Sequence, residues 1–453
     1  MQKNFLNYKN IHFIGIGGIG MSALARFFKS KGKNVSGSDS SDSEIIHDLI
    51  SEGMQINIGH KGENLPKDID CIIYTLAIGQ DNPEFLSAHS RNLPIFTYAQ
   101  MLGQVSSGMF TIAVSGTHGK TTTTAMVDSA LRGAGIMPNM IVGSLLSKNS
   151  SQSKNSSQSK NRTNFLAGEG VGSEIFVAEA CEYKKSFLNL SPNILIITNI
   201  EADHLDFYKD LADVKSAFME MADHVASDGA IICDFDDKNV QDIIKKYDNC
   251  INFRKYIEQI PELFVIGEHN KRNAAAALAV CDFIKNNSTS LFDPNIEVNI
   301  EGAKIGLKNF RGTWRRMEFH GQNKNGAIIY DDYGHHPTEI EATLSALSNK
   351  FPEKNLIVFF QPHLYSRTKI LFDDFVNVFK KYFSVEKNKL FLLPIYAARE
   401  KEDISVSSEI LAQKIDGAIA LKDFDEARAE IAKCSQNDIV LSLGAGDVYH
   451  ILN

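Results

Sequence analysis

A short apolar run that leads into a glycine-rich turn is the feature that most limits how this 453-residue chain can fold. Residues 111–124 read TIAVSGTHGKTTTT. A strand-like run is followed by Gly116, Gly119 and Lys120, and the hydroxyl-rich residues after them predict the start of a helix. Such a turn directs backbone N–H groups and the positive end of the helix at a phosphate. Lys120 would meet the β- and γ-phosphates and Thr121 a Mg²⁺ ion, although the spacing G-T-x-G-K-T is shorter than usual. We therefore predict a phosphate-binding loop, with an ordinary strand-to-helix turn and a surface lysine as the alternative.

A second glycine-rich turn lies near the N-terminus. The strand-like run Ile11–Ile16 leads into GIGGIG at residues 15–20, a helical pattern follows, and the acidic residue Asp39 comes later. A strand, G-x-G-x-x-G, a helix and a delayed acid make up the dinucleotide-binding fingerprint. The pattern predicts a nucleotide diphosphate at the helix N-terminus. Close packing of the helix on the strand, which also requires glycine, is the alternative.

Composition excludes several classes of protein. A hydrophobic content of 43% and a charged content of 23% are typical of soluble globular proteins. The net charge of −8 argues against nucleic acid and anionic membranes as partners. No apolar run reaches the roughly 18 residues that span a bilayer, and the six cysteines form no C-x-x-C pair. We therefore expect a cytoplasmic protein that binds neither nucleic acid nor membrane.

Strand-like runs alternate with helical segments along the whole chain, as in parallel α/β folds. Examples are Cys71–Tyr74, Ala230–Cys233 and Asn355–Phe360. Residues 149–160 read NSSQSK twice and are too polar to pack, so we interpret them as a disordered surface loop. The length and these patterns predict two or three α/β domains.

Candidate functional side chains follow the predicted strands of the middle segment. Glu179 comes directly after an apolar run, and His204 lies in TNIEADHLD after the next one. Because the carboxyl ends of parallel strands meet at one edge, the two residues could share a divalent ion, Mg²⁺ or Mn²⁺. Asn270 opens an alanine-rich helix, where its amide would suit an adenine edge or simply the helix start. A solvated carboxylate and a satisfied loop histidine are the alternatives for the first two.

Three further motifs crowd the last third of the chain. FRGTWRRME occupies residues 310–318, DDYGHHP residues 331–337 and QPHLYSRT residues 361–368. The last two follow predicted strands, at the edge where a domain lines a cleft. Any one of them could be a surface loop, but their coexistence indicates a binding site.

Together these motifs resemble those of the Mur ligases, the ATP-dependent amide-forming family of bacterial cell-wall synthesis. The similar segments run from residue 15 to 447 and are GIGGIGMSALA, SGTHGKTTTT, EACEY with SFL, TNIEADHLD, GEHNKRNAAAA, FRGTWRRME, DDYGHHP, FQPHLYSRT and LGAGD. The first segment and the YGHHP and QPH-x-YSRT blocks are most similar to members that join L-alanine to UDP-N-acetylmuramate.

The resemblance implies an α/β fold of three domains, each on a mostly parallel sheet. They are a Rossmann-like UDP-sugar domain (1–108), a P-loop ATPase-like domain (109–308) and a Rossmann-like domain completing the amino-acid site (309–453). The first glycine loop would then hold the pyrophosphate of UDP rather than NAD. In the implied reaction ATP phosphorylates the lactyl carboxylate of the sugar, the amine of L-alanine attacks the acyl phosphate, and phosphate leaves.

The resemblance also implies a role for each motif. ATP is expected at Gly116, Thr117, His118, Gly119, Lys120, Thr121, Thr122, Asn270 (adenine), Arg316 (phosphates) and Asp332 (ribose). The UDP-sugar is expected at Gly15, Gly17, Gly18, Ile19, Gly20, Asp39 and His363. L-Alanine is expected at Tyr333, His335 and Arg367, and Mg²⁺ or Mn²⁺ at Thr121, Glu179 and His204. The expected catalytic residues are Lys120, His204, His335 and Arg367.

Some positions depart from the family pattern. Many relatives have acids where Cys181 and Lys184 stand and an arginine where Leu364 stands. A recycling ligase that joins a tripeptide to the same sugar is one alternative, although its E-A-D-E-Y-D-x-A-F-F block is absent. A non-catalytic nucleotide-binding regulator is another, and a nicotinamide dehydrogenase would explain only residues 11–40. The sequence leaves three points undecided. They are the preference for L-alanine over glycine or L-serine, the carbamylation of Lys215, and the oligomeric state, monomer or dimer.

Overall fold

The computed structural model describes residues 5–146, 162–205, 207–291, 297–384, 387–398 and 400–452. The repeated NSSQSK segment lies outside them, so its predicted disorder is not addressed. The described residues form two compact units, one of the residues up to Phe264 together with Lys271–Arg311, the other of Val265–Asn270 and the residues from Gly312 on. The first unit carries two sheets and the C-terminal unit a third. The predicted α/β class with three mostly parallel sheets is confirmed.

The first sheet is parallel and has the order β3-β2-β1-β4-β5. Its strands are β1 (Asn10–Ile14), β2 (Asn34–Asp39), β3 (Gln55–Ile58), β4 (Cys71–Tyr74) and β5 (Ile95–Thr97). Its helices are α1 (Ile19–Ser30), α2 (Glu44–Ser51), α3 (Pro83–Ser90) and α4 (Tyr98–Ser107). The strand order reverses beside β1, and such a switch point opens a crevice at the carboxyl ends of the strands. The glycine-rich turn after β1 therefore lies where this fold binds ligands.

Sequence signals explain where the helices of this sheet begin. Ser43 caps α2 and Asn82 caps α3, each through a side-chain oxygen that accepts backbone N–H groups. Thr97 starts α4 with a capping box completed by Gln100. In α1 the buried rings of Phe27 and Phe28 belong to the same core as Phe13 of β1, and this contact fixes the helix against the sheet.

The second sheet has the order β12-β11-β10-β6-β9-β7-β8, and it is parallel except where β8 runs antiparallel to β7. Its strands are β6 (Phe110–Ser115), β7 (Asn139–Ile141), β8 (Phe165–Leu166), β9 (Ile175–Glu179), β10 (Ile194–Ile197), β11 (Ala230–Cys233) and β12 (Cys250–Asn252). Its helices are α5 (Lys120–Gly133), α6 (Leu211–Ala222), α7 (Gln241–Lys246), α8 (Glu268–Leu291) and α9 (Ile300–Lys308). Because β6 lies between β10 and β9, the turn after β6 is flanked by the ends of both neighbours.

The third sheet has the order β13-β14-β18-β15-β16-β17 and is parallel except at β13, which pairs antiparallel with β14. Its strands are β13 (Glu318–Gln322), β14 (Ile328–Asp332), β15 (Asn355–Phe360), β16 (Lys389–Leu392), β17 (Ile419–Ala420) and β18 (Asp438–Leu443). Its helices are α10 (Pro337–Lys350), α11 (Tyr365–Ile370), α12 (Phe372–Phe383), α13 (Ser408–Ala412) and α14 (Phe424–Lys433). Phe359 and Phe360 of β15 are buried in different cores, so helices cover both faces of this sheet.

Within the described residues, every helix is too short or too polar to span a lipid bilayer.

Candidate functional site

The turn between β6 and α5 has the backbone of an anion cradle. Gly116 and Gly119 have φ values of 132° and 82°, a region that side chains rarely adopt. A Cβ at Gly116 would also overlap the hydroxyl of Thr198. The N–H of His118 donates to Asn199 Oδ1 at 2.9 Å, which fixes the middle of the turn. The first N–H groups of α5 have no intrahelical acceptor and are available for a phosphate.

The remaining residues of this turn lie close to the loop that follows β10. Thr117 accepts a hydrogen bond from the N–H of Glu201 at 2.8 Å, and His118 Nε2 lies 3.5 Å from Glu201 Oε2. Thr121 and Thr122 occupy the first turn of α5 and are both buried. The structure therefore brings together the predicted residues 116–122 as one continuous loop and helix start.

The ammonium group of Lys120 forms hydrogen bonds with three other groups of the protein. Its Nζ donates to Gly116 O at 2.6 Å, to Thr117 O at 2.9 Å and to Glu182 Oε1 at 3.0 Å. Burial would lower the pKa of Lys120, but the charge of Glu182 and other anionic groups outweighs it and raises the pKa well above its usual value. Sequence reasoning missed Glu182, because an acid so close to a predicted metal ligand gives no separate signal.

Glu179 ends β9 beside the start of α5. Its Oε1 accepts a hydrogen bond from Thr121 Oγ1 at 3.0 Å, and its Oε2 accepts one from Gly143 N at 2.7 Å. A carboxylate and a hydroxyl at this distance are oxygen ligands of the kind that Mg²⁺ prefers. The two predicted metal ligands Thr121 and Glu179 are thus adjacent, and their donor set fits a hard cation.

His204 was predicted to share a metal ion with Glu179, but the carboxylates near its ring belong to Glu182 and Asp203. Its Nε2 is 3.6 Å from Glu182 Oε1 and 3.8 Å from Asp203 Oδ2, and its ring centroid is 4.8 Å from that of Tyr183. Its backbone has φ 54°, an uncommon value for a residue with a Cβ. The described contacts of His204 therefore join it to Glu182 rather than to Glu179.

Two positions that depart from the family pattern also lie here. Cys181 directly precedes Glu182, and its side chain is exposed. Lys184 Nζ lies 5.4 Å from the ring centroid of Tyr183.

Two further residues singled out in the sequence have other surroundings. Lys215, which was considered for carbamylation, forms an ion pair with Asp242 at 2.9 Å. In the C-terminal unit Leu364 precedes α11 with φ 72°.

The first glycine loop is fixed by strand β2. Gly15 N and Ile16 N donate to Ser38 O at 2.8 and 3.0 Å. Gly17 N donates to Asp39 Oδ2 at 2.8 Å, so this carboxylate, predicted to contact the UDP-sugar, supports the loop itself. Gly18 precedes α1, whose first turn carries no acidic side chain and so presents only its positive end.

One position in the first turn of α1, Gly20, has no room for a side chain. The ring of Tyr98, at the start of α4, occupies the space that a Cβ at Gly20 would need. The backbone oxygen of Ile19 accepts a hydrogen bond from Asn164 Nδ2 at 2.7 Å. The predicted UDP-sugar residues 15–20 thus form one continuous turn and helix start, which the hydrogen bonds to Ser38, Asp39 and Asn164 hold in place.

Asn164 ties the first glycine loop to the second sheet. Its Nδ2 also donates to Ser22 Oγ at 2.8 Å, and its Oδ1 accepts from Arg26 Nη1 at 2.6 Å. The side chain is fully buried, and each of its polar atoms is engaged by α1. Asn164 therefore acts as a clamp between two elements that are far apart in the sequence.

The same segment reaches the predicted metal ligand. Asn164 O accepts a hydrogen bond from Val142 N at 3.1 Å, and the next residue, Gly143, donates to Glu179 at 2.7 Å. A short path of hydrogen bonds thus joins the first glycine loop to the carboxylate beside the second one. Sequence reasoning missed Asn164, because it follows a low-complexity segment and matches no motif.

In the C-terminal unit, the arginine motif is divided between interior and surface. Arg315 is 2% exposed and its Nε donates to Asp331 Oδ2 at 2.7 Å. Arg316 Nη1 lies 3.5 Å from Glu339 Oε1, and its guanidinium lies 5.0 Å from the ring centroid of Tyr333. Arg316, which was predicted near the phosphates, is the more accessible of the two.

Asp332, at the end of β14, already serves several backbone groups. Its Oδ2 accepts from Met317 N at 2.7 Å, and its Oδ1 accepts from Gly334 N at 2.8 Å and from Thr343 Oγ1 at 3.2 Å. Burial raises the pKa of Asp332 to about 6, although Arg316 and these hydrogen bonds act against the rise. Its visible contacts hold the turn after β14 in place.

Asn270 lies in the first turn of α8, as the sequence predicts. The amide Nδ2 donates to Ile266 O at 2.7 Å, and the side chain is buried. Next to it, burial and the charge of Arg316 lower the pKa of His269 to about 4.

The residues predicted to hold the amino acid form a cluster after β14 and β15, together with His363, which was predicted to contact the UDP-sugar. His335 Nδ1 lies 3.1 Å from Tyr333 O, and the His335 and His363 ring centroids are 6.0 Å apart. Arg367 Nη1 lies 3.5 Å from His363 Nδ1, and Tyr396 stacks on His363 with centroids 5.5 Å apart. Burial and nearby cations, Arg367 among them, lower the pKa values of His335 and His363 to about 4 each. Both rings are therefore neutral at pH 7.

Comparison with known proteins gives matches along most of the chain. Three family models match: the Mur ligase family catalytic domain at residues 10–109, the Mur ligase middle domain at 114–259, and the Mur ligase glutamate ligase domain at 315–446. The chain is 39% identical over 486 residues to UDP-N-acetylmuramate–L-alanine ligase of Clostridium tetani, covering 99% of this chain and 98% of the relative. The enzyme of the same name from Clostridium kluyveri is 38% identical, with coverage of 100% and 98%.

Solved structures agree with the sequence matches. The UDP-N-acetylmuramate-alanine ligase MurC of Thermotoga maritima gives a TM-score of 0.73 at 25% identity, covering 98% of this chain and 97% of that one. A murein peptide ligase of Psychrobacter arcticus gives 0.65 at 23% identity, with the same coverage, and shares the fold. The matches over the full length, together with the two glycine loops and the Lys120 and Glu179 cluster, establish that the chain belongs to the Mur ligase family.

Proposed function

We propose that this protein uses ATP to ligate L-alanine to UDP-N-acetylmuramate, a step in the synthesis of the peptidoglycan precursor. One observation carries the proposal. Two anion cradles, at residues 15–20 and 116–122, lie in the same unit and are joined by hydrogen bonds through Asn164. The full-length similarity to ligases named for this reaction supports the choice of substrates. We also propose that the protein has three domains, with limits 1–108, 109–308 and 309–453, and that it is located in the cytoplasm.

In the first half-reaction, the γ-phosphoryl group of ATP passes to the lactyl carboxylate of the sugar. The backbone of Gly116–Lys120 and the ammonium of Lys120 would hold the β- and γ-phosphates and offset the charge that spreads over them. The N-terminal turn of α1 would hold the pyrophosphate of UDP. Asn164 would keep the sugar nucleotide in register with ATP, since it fixes α1 next to the segment that orients Glu179.

A divalent cation belongs to this proposal, because Thr121 and Glu179 provide two oxygen ligands 3.0 Å apart. When bound, Mg²⁺ or Mn²⁺ would neutralise the phosphate oxygens and align them for transfer. His204 is the third predicted ligand, and its Nε2 lies 3.6 Å from Glu182 Oε1 within the same unit.

In the second half-reaction, the amine of L-alanine attacks the acyl carbon, a C–N bond forms and phosphate leaves. Arg367 would pair with the carboxylate of the amino acid, which is the typical role of a guanidinium. Since His335 is neutral and its Nδ1 faces Tyr333 O, its Nε2 offers a lone pair to the amine and adds no repelling charge. Tyr333 would complete the walls of this pocket and His363 would contact the UDP-sugar beside it, while Asn270, Asp332 and Arg316 would contact ATP.

The proposal is tested by phosphate release from ATP with purified protein and each substrate in turn. We expect release only with UDP-N-acetylmuramate, an amino acid and a divalent cation all present, and faster release with L-alanine than with glycine or L-serine. Chelation of the cation should stop it. Release that ignores the sugar nucleotide would contradict the proposal, and a preference for a tripeptide over L-alanine would identify a recycling ligase instead.

A further inference from the structure

The ammonium group of Lys120 has no donor left for a ligand in this structure. Its three N–H groups meet Gly116 O, Thr117 O and the carboxylate of Glu182, all within 3.0 Å. The second oxygen of Glu182 is 2.9 Å from the same nitrogen. Terminal phosphates of ATP could therefore reach Lys120 only by replacing one of these partners.

Glu182 is the partner that an incoming phosphate would replace. It is the anionic partner of the three, whereas the two carbonyl oxygens belong to the loop that wraps the phosphate. The side chain of Glu182 is only 2% exposed, so its charge depends on Lys120 for compensation. A phosphate group is negatively charged and offers oxygen acceptors, as the carboxylate of Glu182 does. One ammonium group cannot pair fully with both anions, so they compete for Lys120.

The backbone around Glu182 holds the carboxylate in this position. Its carbonyl accepts the hydroxyl of Tyr208 at 2.5 Å and the N–H of Lys185 at 2.8 Å. Lys184 and Lys185, two and three positions after Glu182, have φ values of 52° and 54°, which are unfavourable for residues with a Cβ. A segment held in such a conformation by a few contacts is suited to rearrange when one of the contacts is exchanged.

We propose that Glu182 occupies on Lys120 the place that the terminal phosphates of the nucleotide take, so that ATP binds by exchange of one anion for another. This inference rests on the proposed binding of ATP at residues 116–122. The carboxylate that is released remains beside His204, whose Nε2 is already 3.6 Å away. Glu182 is then a positioning residue, which keeps Lys120 oriented before binding and lowers the apparent affinity for nucleotide.

The test compares nucleotide affinities of the full-length wild type, Glu182→Gln and Glu220→Gln. Glutamine keeps the shape of Glu182 and removes its charge. Glu220 forms an exposed ion pair with Lys185 at 2.8 Å and serves as the matched control. We expect Glu182→Gln to bind ADP and the non-hydrolysable analogue AMP-PNP about 10-fold more tightly, the effect of losing one charge-assisted hydrogen bond. AMP should bind unchanged, because it lacks the phosphates that reach Lys120.

The measured affinities distinguish an exchange of anions on Lys120 from a purely structural role of Glu182. A purely structural role for Glu182 would change the affinities for AMP and AMP-PNP together, and would contradict the exchange. Unchanged or weaker binding of AMP-PNP by a folded Glu182→Gln variant would overturn it as well. A wild type that binds neither AMP-PNP nor ADP would overturn both this inference and the proposed function, whereas wild-type ligation without tighter binding by the variant would overturn only the exchange.

A second measurement covers the case in which Glu182→Gln does not fold. Amide hydrogen exchange of the wild type is followed over residues 180–189, with and without nucleotide and in the absence of a divalent cation. We expect faster exchange in this segment with AMP-PNP and no change with AMP, because the phosphates displace Glu182. Slower or unchanged exchange with saturating AMP-PNP would contradict the proposal.

Discussion

Arg315 joins three separate segments of the C-terminal unit through one buried guanidinium. Besides Asp331, it donates to Gly446 O and Gly444 O, each at 2.6 Å. The carboxylate of Asp331 accepts a further hydrogen bond from Ser442, and its side chain is 1% exposed. The arginine motif of the sequence thus contains a residue whose contacts are structural, next to Arg316, which we propose for ATP.

Arg315→Met is therefore expected to destabilise the C-terminal unit strongly. Removal of the guanidinium leaves the carboxylate of Asp331 buried without a cation, which typically costs about 3–5 kcal/mol. Denaturant unfolding gives the free energy difference. Arg428→Met is the matched control, because its ion pair with Asp425 is exposed and should change stability by less than about 1 kcal/mol. Equal stability of the two variants would show that the Arg315 contacts do not hold this unit together.

At the scale of elements, α5 and α9 pack with almost no space between their backbones. A Cβ at Gly306 would overlap the carbonyl oxygen of Ser129, and one at Gly302 would overlap that of Gly133. Ser129 Oγ also donates to Gly306 O at 2.9 Å. Since α5 begins at Lys120, this contact fixes the helix that carries the proposed phosphate-binding residues.

Gly306→Ala should destabilise the first unit, although alanine is the better helix former. Alanine gains about 1 kcal/mol in helix propensity, but the added Cβ must push the two helices apart, and such overpacking costs about 1–3 kcal/mol. The net loss is measured by thermal or denaturant unfolding. Gly62→Ala is the control, since a Cβ there meets its nearest neighbour at an ordinary 3.5 Å. A Gly306→Ala variant more stable than the wild type would contradict the close packing.

At the scale of the whole molecule, the C-terminal unit contains three histidines with depressed pKa values. Burial lowers the pKa values of His269, His335 and His363 from 6.5 to about 4 each. Between pH 6.5 and 4 the unfolded chain then binds more protons at these sites than the folded unit does. The three histidines therefore contribute to the free energy of unfolding above pH 6.5, and this contribution is lost as the pH falls towards 4. Asp332 acts in the opposite sense, because its pKa is raised from 3.8 to about 6.

We expect the free energy of unfolding of the C-terminal unit to fall between pH 6.5 and 4, since three histidines oppose one carboxyl. The measurement is a series of denaturant unfolding curves across this pH range. His363→Gln should make the fall shallower, and Asp332→Asn should make it steeper by removing the opposing group. A flat profile in the wild type would show that these histidines titrate normally.

Much of the fold was predictable because its signals are local. The strands Ala230–Cys233 and Asn355–Phe360 have the predicted bounds, since an apolar run between turns needs no distant partner to be recognised. The two glycine loops were predictable for the same reason: backbone groups that bind phosphate come from consecutive residues. The short edge strands β8, β13 and β17 were not predicted, because the neighbours they pair with, rather than their own sequence, make them strands.

The sequence alone determined the family, the α/β class and the loops at residues 15–20 and 116–122. The tertiary structure decided which side chains share a charge or a hydrogen bond. It pairs Lys120 with Glu182, joins Asn164 to Ile19, and surrounds Arg315 with Asp331 and the turn after β18. These partners are separated by up to 145 positions in the chain. Electrostatic and packing energies depend on distance in space, and no pattern of neighbouring residues encodes that distance.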